Sequence, residues 1–324
     1  MSRRPRPRDT GVPRTPWWTC PHAGGNLALM QSTQNIAVLG VGTMGSAFAH
    51  RLLGAGMRVS VWDVSPAAAA LLAPAGARVA ATPEEAVRDA DVVLTMVPTI
   101  ASIEETMPRA LAAFPRGATW LQMSTIGADG TERAMALAKA HRSDVVFVDA
   151  PVSGSRAPAE EGKLLILASG PAAALDALAP VFSVLGQKTM RWERAGSGSR
   201  MKLVLNTWLA VLGEGISEVA VLARSLDVSL NDVSACIGST ALDAPWALSK
   251  LAKIEGKAFN PDFSLALAAK DLHLALDAAN RAHQPLPMAQ SIAVQWDTAL
   301  QAGLGDRDVV GAYLALAGDR HPPG

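Results

Sequence analysis

Short apolar runs alternate with helix-length stretches along residues 35–192 of this 324-residue chain, and then stop. "NIAVLG" (35–40), "RVSVWD" (58–63), "DVVLTMVP" (91–98), "TWLQMS" (119–124) and "VVFVDA" (145–150) have the length and the β-branched content of buried strands. Between them the patterning predicts helices over 44–56, 66–77, 83–89, 101–113 and 128–141. In the first of these, Met44, Phe48, Leu52 and Leu53 share one face. Strands that alternate with helices predict a parallel sheet covered on both faces, and strands covered twice need no polar alternation. "LLILAS" (164–169) and "KTMRW" (188–192) extend the sheet. Past about residue 196 only helical patterning remains, over 199–225, 229–237, 242–254, 264–282, 287–302 and 307–317. The switch predicts two domains, 34–195 and 196–324, as the chain length also suggests.

The turn after the first strand carries Gly40-x-Gly42-x-x-Gly45 and opens a helix. That is the setting a dinucleotide needs. Gly40 permits the tight turn, Gly42 lets backbone approach a pyrophosphate, and Gly45 lets helix and strand pack closely, with Val41, Thr43 and Met44 completing the loop at the helix N-terminus. Asp63 ends the second strand, 23 residues after Gly40. A carboxylate there accepts from ribose hydroxyls and repels a 2′-phosphate. No Arg follows it, so NAD is expected over NADP, with NADP a possible cofactor. The fold class is therefore α/β: an N-terminal Rossmann-type doubly wound sheet followed by an all-α C-terminal domain.

Composition narrows the partners. The chain is 49% apolar with a formal net charge of zero, so no basic face is expected and no nucleic-acid partner. No apolar run approaches the roughly 20 residues of a membrane span, so no membrane partner is expected. Cys20 and Cys236 make neither a disulfide framework nor a metal cluster, so no metal is expected, and the pair fits a reducing, cytoplasmic setting. Residues 1–33 are rich in Arg and Pro, without period and without the apolar core of a secretory signal. They read as a disordered tail, with Met30 as the natural start.

Three further segments, "DAPVSG" (149–154), "GSGSRMKLVLN" (196–206) and "KDLHLAL" (270–276), join "GVGTMG" (40–45) in a fixed order. With these four motifs the chain from about 35 to 318 resembles the β-hydroxyacid dehydrogenase family, the group that contains 3-hydroxyisobutyrate dehydrogenase and tartronate semialdehyde reductase. The resemblance implies an NAD(P)-dependent dehydrogenase acting on the CH–OH group of a small 3-hydroxy acid and giving a semialdehyde or keto acid. It also implies a homodimer or homotetramer. Lys202 takes the position of the catalytic acid/base. Asn206 lies four residues on, so the two side chains share a helix face, where Asn206 would hold the substrate hydroxyl or orient the lysine. Burial beside a cationic nicotinamide would lower the lysine's pKa toward neutrality.

The same resemblance puts Ser153 and Gly154 at the substrate carboxylate, Val97 and Pro98 beside the cofactor, and Lys270 on the cofactor side of the cleft. Ser124 and Thr125 follow a strand at the sheet's carboxyl edge, where ligands of such sheets bind. Ser124 is expected at the substrate and Thr125 at the cofactor, with helix capping as the structural alternative for both. The chain departs from the family at Ser155, Arg156 and Pro158. Arg156 either faces solvent or recognises a second acidic group. Two other readings stay open: an imine reductase-like NADPH enzyme, and an inactive member that serves as a binding protein.

Overall fold

The protein is described by a computed structural model over residues 34–318. The predicted tail, Met30 and Cys20 lie outside the described residues. Those residues form one compact unit.

The strands are β1 (Asn35–Leu39), β2 (Arg58–Trp62), β3 (Arg78–Val79), β4 (Val92–Thr95), β5 (Thr119–Gln122), β6 (Val146–Asp149), β7 (Val152–Ser153), β8 (Leu164–Ser169) and β9 (Gly186–Trp192). Among them run α1 (Thr43–Gly54), α2 (Pro66–Ala70), α3 (Pro83–Val87), α4 (Ile100–Ala112), α5 (Gly127–His141), α6 (Arg156–Glu161), α7 (Ala172–Ala177) and α8 (Ala179–Leu185). Only helices follow: α9 (Ser197–Ser225), α10 (Leu230–Gly238), α11 (Pro245–Glu255), α12 (Leu265–Arg281), α13 (Pro287–Gln301) and α14 (Ala312–Leu316).

The sheet order is β3-β2-β1-β4-β5-β6-β8-β7, with β9 beside β8. From β3 through β6 every pairing is parallel, but β8 runs antiparallel to both β6 and β7. The expected parallel sheet is therefore mixed. The reason lies in loop length: the link from Ser153 to Leu164 holds only the short α6, and a parallel return needs a crossover of about a dozen residues or more. The link from β8 to β9 contains α7 and α8 and does give a parallel pair. Those two helices, β3, and the β7–α6 segment carry no signal in the sequence reading. The helix expected over 66–77 breaks at Ala70 into a 3-10 turn at Ala73–Ala75, where Pro74 and Gly76 cannot continue it. The helix expected over 307–317 starts late, because Asp308 first caps the 3-10 turn Val309–Gly311.

Apolar layers cover both faces of the sheet. Phe48, Leu52 and Ile166 lie in one, and Ile103, Met107 and Trp120 in the other. Trp120 meets Phe147 edge-on at 5.1 Å. A third cluster, around Leu272, Trp296 and Tyr313, is the core of the helical region. Each such side chain contributes roughly 1.5–3 kcal/mol by leaving water. α9 is 29 residues long and, by length and composition, apolar enough to cross a membrane, contrary to the expectation that no run approaches that length.

Glu214, midway along α9, is buried in that third core. Its Oε2 accepts from Trp296 Nε1 at 2.7 Å, and Oε1 has no partner. Burial pushes the carboxyl up to about 7, the indole donor opposes this, and Glu218 adds to the rise. An acid whose folded pKa is raised costs no stability below its ordinary value of 4.5. The cost grows as pH rises through the interval up to about 7. Glu214→Gln is expected to stabilise the protein above pH 7 by on the order of 2 kcal/mol, with the gain fading by pH 5. Urea midpoints of both proteins at the two pH values check this; a pH-independent difference would contradict it.

Candidate active site

The turn between β1 and α1 is shaped by sterics. Gly40 has φ +92°, and a Cβ there would lie 2.4 Å from the Met96 carbonyl oxygen. A Cβ on Gly45 would lie 1.9 Å from the Gly40 oxygen. Gly42 differs: it caps α1 with extended backbone and no side-chain bond, and a Cβ there would meet nothing within 4 Å. The space beside Gly42 and the uncapped helix N-terminus suit a pyrophosphate. Asp63 ties the end of β2 to this turn, with Oδ2 accepting from Val41 N at 2.8 Å and Oδ1 from Ser65 N at 2.9 Å. The residues present fit a dinucleotide.

A cleft of about 330 Å³ opens from the turn. Gly42, Thr43, Met44 and Gly45 line one side, with Val97, Pro98 and Thr125 from the carboxyl ends of β4 and β5. Gly154 closes a second side, and Lys202 and Lys270 reach in from α9 and α12. Lys202 is buried. Burial pushes its ammonium below the ordinary lysine value, Asp271 pulls the other way, and Lys270 adds like-charge repulsion. One turn on, Asn206 is buried and donates through Nδ2 to Asp271 Oδ2 at 2.6 Å. Lys270 Nζ donates to Thr125 O at 2.6 Å and Pro98 O at 3.2 Å, and lies 2.8 Å from Asp271 Oδ1. Lys270 thus joins the ends of β4 and β5 to α12.

The position of Lys202 follows from how α9 begins. Asp149, at the end of β6, is fully buried. Its Oδ2 accepts from Ser199 N at 2.8 Å and Ser169 Oγ at 3.0 Å, and its Oδ1 from Ser199 Oγ at 2.6 Å. Ser169 Oγ in turn accepts from Gly198 N at 3.0 Å. Two of the helix's orphan N–H groups are satisfied this way, under a carboxylate placed at the positive end of the helix dipole. Burial lifts Asp149 to about 6 against the pull of those serine bonds. Gly198 permits the contact, since a Cβ there would lie 2.0 Å from the Leu167 oxygen.

The far wall, residues 259–264, rests on a buried ion cluster. Asp308 Oδ2 accepts from Lys250 Nζ at 2.8 Å and from the Asp262 backbone N at 2.9 Å. Lys253 bridges Asp262 and Asp308, at 3.0 and 3.4 Å. Removing one partner of such a buried pair costs about 3–5 kcal/mol. The cluster fixes the loop that presents Phe263 and Ser264 to the cleft.

Some expected residues are not brought to the cleft. Ser124 is fully buried, and its hydroxyl accepts from Val97 N at 2.8 Å and donates to Thr95 O at 3.3 Å. It does not line the cleft as expected for a substrate ligand, and it braces the strand end that carries Val97. It does not cap α5 either, whose cap is Ile126. Ser153 pairs with Leu165 across the strands, and Ser155 and Arg156 line the cleft beyond Gly154 instead. Asn206 is turned toward Asp271, not into the cleft. Gly40 and Asp63 shape the turn from behind. Asp271, which the sequence reading passed over, is the acid that Lys202, Lys270 and Asn206 share. Its signal was present in the dipeptide Lys270-Asp271 at the head of "KDLHLAL".

Residues 35–193 match the family model for the NAD binding domain of 6-phosphogluconate dehydrogenase. Residues 196–316 match the one for the NAD-binding domain of NADP-dependent 3-hydroxyisobutyrate dehydrogenase. A probable 3-hydroxyisobutyrate dehydrogenase of Mycobacterium tuberculosis is 33% identical over 266 residues, 80% of this chain and 90% of that protein. The 3-sulfolactaldehyde reductase of Escherichia coli is 31% identical over 277 residues, 84% and 92% of the two chains. A solved structure of 3-hydroxyisobutyrate dehydrogenase from M. tuberculosis with L-serine superposes with a TM-score of 0.80 at 31% identity, covering 88% of this chain and 99% of that one. The fold and cleft are those of an NAD(P)-binding protein, and the chain belongs to the β-hydroxyacid dehydrogenase family.

Ser199→Ala removes one donor from buried Asp149 at the root of α9. The expected loss is about 1–3 kcal/mol in stability, read from the denaturant midpoint, together with lower turnover, since Lys202 lies one turn along.

Proposed function

We propose that the protein interconverts a small 3-hydroxy acid with its semialdehyde or keto acid, and that Lys202 is the group that moves the hydroxyl proton. The observation that carries this reading is a buried lysine whose charge is disfavoured, in a cleft continuous with the dinucleotide turn. A bound nicotinamide dinucleotide would accept or supply the hydride at the carbinol carbon. The neutral amine of Lys202 would take the hydroxyl proton during oxidation, and the ammonium would return it during reduction. Asn206 and Asp271 act as positioning residues that fix the lysine's surroundings. Gly154 and its neighbours on the loop present backbone to the acid group of the substrate. The negative charge of Asp63 at the end of β2 supports NAD over NADP.

The imine reductase reading has less support. An imine reductase from Pseudomonas sp. superposes with a TM-score of 0.58 at 25% identity, and Lys202 has no evident task in a scaffold. A reducing, cytoplasmic setting is part of the proposal, and a free, exposed Cys236 supports it. We read α9 as a core helix and not as a membrane span. Its face bearing Lys202, Asn206 and Ser217 is buried inside the protein. The opposite face bears exposed Val204, Trp208 and Leu222, with Leu226 just beyond the helix end. At 100° per residue these fall within a stripe about 40° wide. Such a continuous apolar stripe suits the matching face of a second copy, so we read the protein as a homo-oligomer.

Assay of a panel of hydroxy acids with NAD and NADP tests the reaction. The expected outcome is turnover that favours NAD, with the rate of oxidation rising with pH through an apparent pKa below the usual lysine value and the rate of reduction falling over the same range. Lys202→Met should lower kcat by about 10²–10⁴-fold while the cofactor still binds. Turnover retained in that variant would remove the lysine from the reaction. For the assembly, Trp208→Glu is expected to shift the protein to monomer in sedimentation; an unchanged mass would discard the α9 interface.

A further inference from the structure

Arg156 takes no part in the reaction as described. It opens α6, where the loop leaves the cleft, and lines the wall beyond Gly154 and Ser155. It also faces a neighbouring groove past Thr43, Ser46 and His50. The side chain is 66% exposed, and its Nε lies 2.7 Å from Glu160 Oε1, one turn along. That bond engages Nε. Among the described residues no partner engages its two terminal nitrogens.

The other charges of the cleft are committed. Lys270 is shared between two carbonyl oxygens and Asp271. Lys202 is buried and disfavours its charge. Asp262 is held by Lys250 and Lys253. Among the described residues that line the cleft, Arg156 is the exposed cation whose terminal nitrogens are unengaged, and its planar fork matches two oxygens of a carboxylate, sulfonate or phosphonate. Its place, two residues past Gly154, is next to the backbone that faces the first acid group.

We propose that Arg156 is a specificity-determining residue that binds a second anionic group of the substrate, so that the enzyme prefers hydroxy acids carrying two acid groups over those with one. This rests on the proposed reaction for its substrate class. A donor pair on the rim adds affinity for the dianion without touching the reacting carbon, and the Glu160 bond, which takes Nε alone, leaves that pair available. A phosphate of the dinucleotide has the same chemistry, so the test must tell the two sources apart.

The test compares the unaltered protein with Arg156→Ala and Arg156→Lys. The first readout is the ratio of kcat/KM for 3-hydroxy dicarboxylates to that for monocarboxylates of equal length. Arg156→Ala should lower this ratio about tenfold, and Arg156→Lys should restore only part of it, because a point charge lacks the fork. The second readout is calorimetric titration of malonate and of acetate into the protein saturated with NADH. Malonate affinity should fall by a similar factor of about ten, while the Kd for NADH stays within about twofold. An unchanged dicarboxylate ratio and unchanged malonate affinity would overturn the proposal. So would a loss confined to NADH or NADPH affinity, which would assign the guanidinium to the cofactor phosphates. Failure of the unaltered protein to oxidise any hydroxy acid would count against the proposed reaction; the malonate titrations would still decide whether Arg156 is an anion site.

Discussion

The start of α9 is tied to the sheet by a single buried carboxylate, and the active cleft depends on that tie. Asp149 receives three donors from Ser199 and Ser169, and Ser169 passes the connection to Gly198. A helix N-terminus buried against a sheet would otherwise leave its first N–H groups without partners, each at a cost of about 1–3 kcal/mol. The carboxylate satisfies them and favours the positive end of the helix dipole. It is stabilised in return, though not enough to offset burial. Gly198 sets how near the helix comes, and Lys202 lies one turn along. The distance between the lysine and the dinucleotide turn is thus decided by hydrogen bonds one helical turn before the lysine.

From that anchor α9 passes into the helical region with two unlike faces. The face at Lys202, Asn206 and Ser217 is buried, and the face at Val204, Trp208 and Leu222 is exposed. The polar groups on the buried face surround the lysine. Burial alone would drive Lys202 strongly toward the neutral amine; Asp271 restrains the shift, and Lys270 partly cancels that restraint. Asn206 occupies one Asp271 oxygen, while Lys270 approaches the other. The acid is thereby shared and not given wholly to Lys202. A lysine paired closely with its own carboxylate would keep its proton; one shielded by a shared acid can exchange it.

Much of this is legible in the chain. The strands that carry the dinucleotide turn are continuous apolar runs, because both faces of each are covered. The four-residue spacing of Lys202 and Asn206 places them on one face without any knowledge of the fold. The glycine spacing at 40, 42 and 45 carries the turn. Less legible are groups whose part depends on what lies across from them. Ser124 looks like a ligand-facing hydroxyl at a strand end, yet Val97 N–H and Thr95 O claim it. Asp271 looks like any helix acid until α12 brings it between two lysines. The antiparallel return of β8 is hidden because a strand's direction is set by the length of its link and not by its own residues.

The sequence by itself determined the long central strands and the longer helices, where the phosphate-facing turn must lie, and which lysine can be buried on an apolar helix. Local sterics and hydrophobic periodicity suffice for these, since both act within a few residues. The tertiary structure alone decided which polar atoms meet. Asp149 and Ser199 are 50 residues apart, and Asn206 and Asp271 are 65. Only packing brings such partners within 3 Å, and only burial disfavours the charge of the lysine beside them.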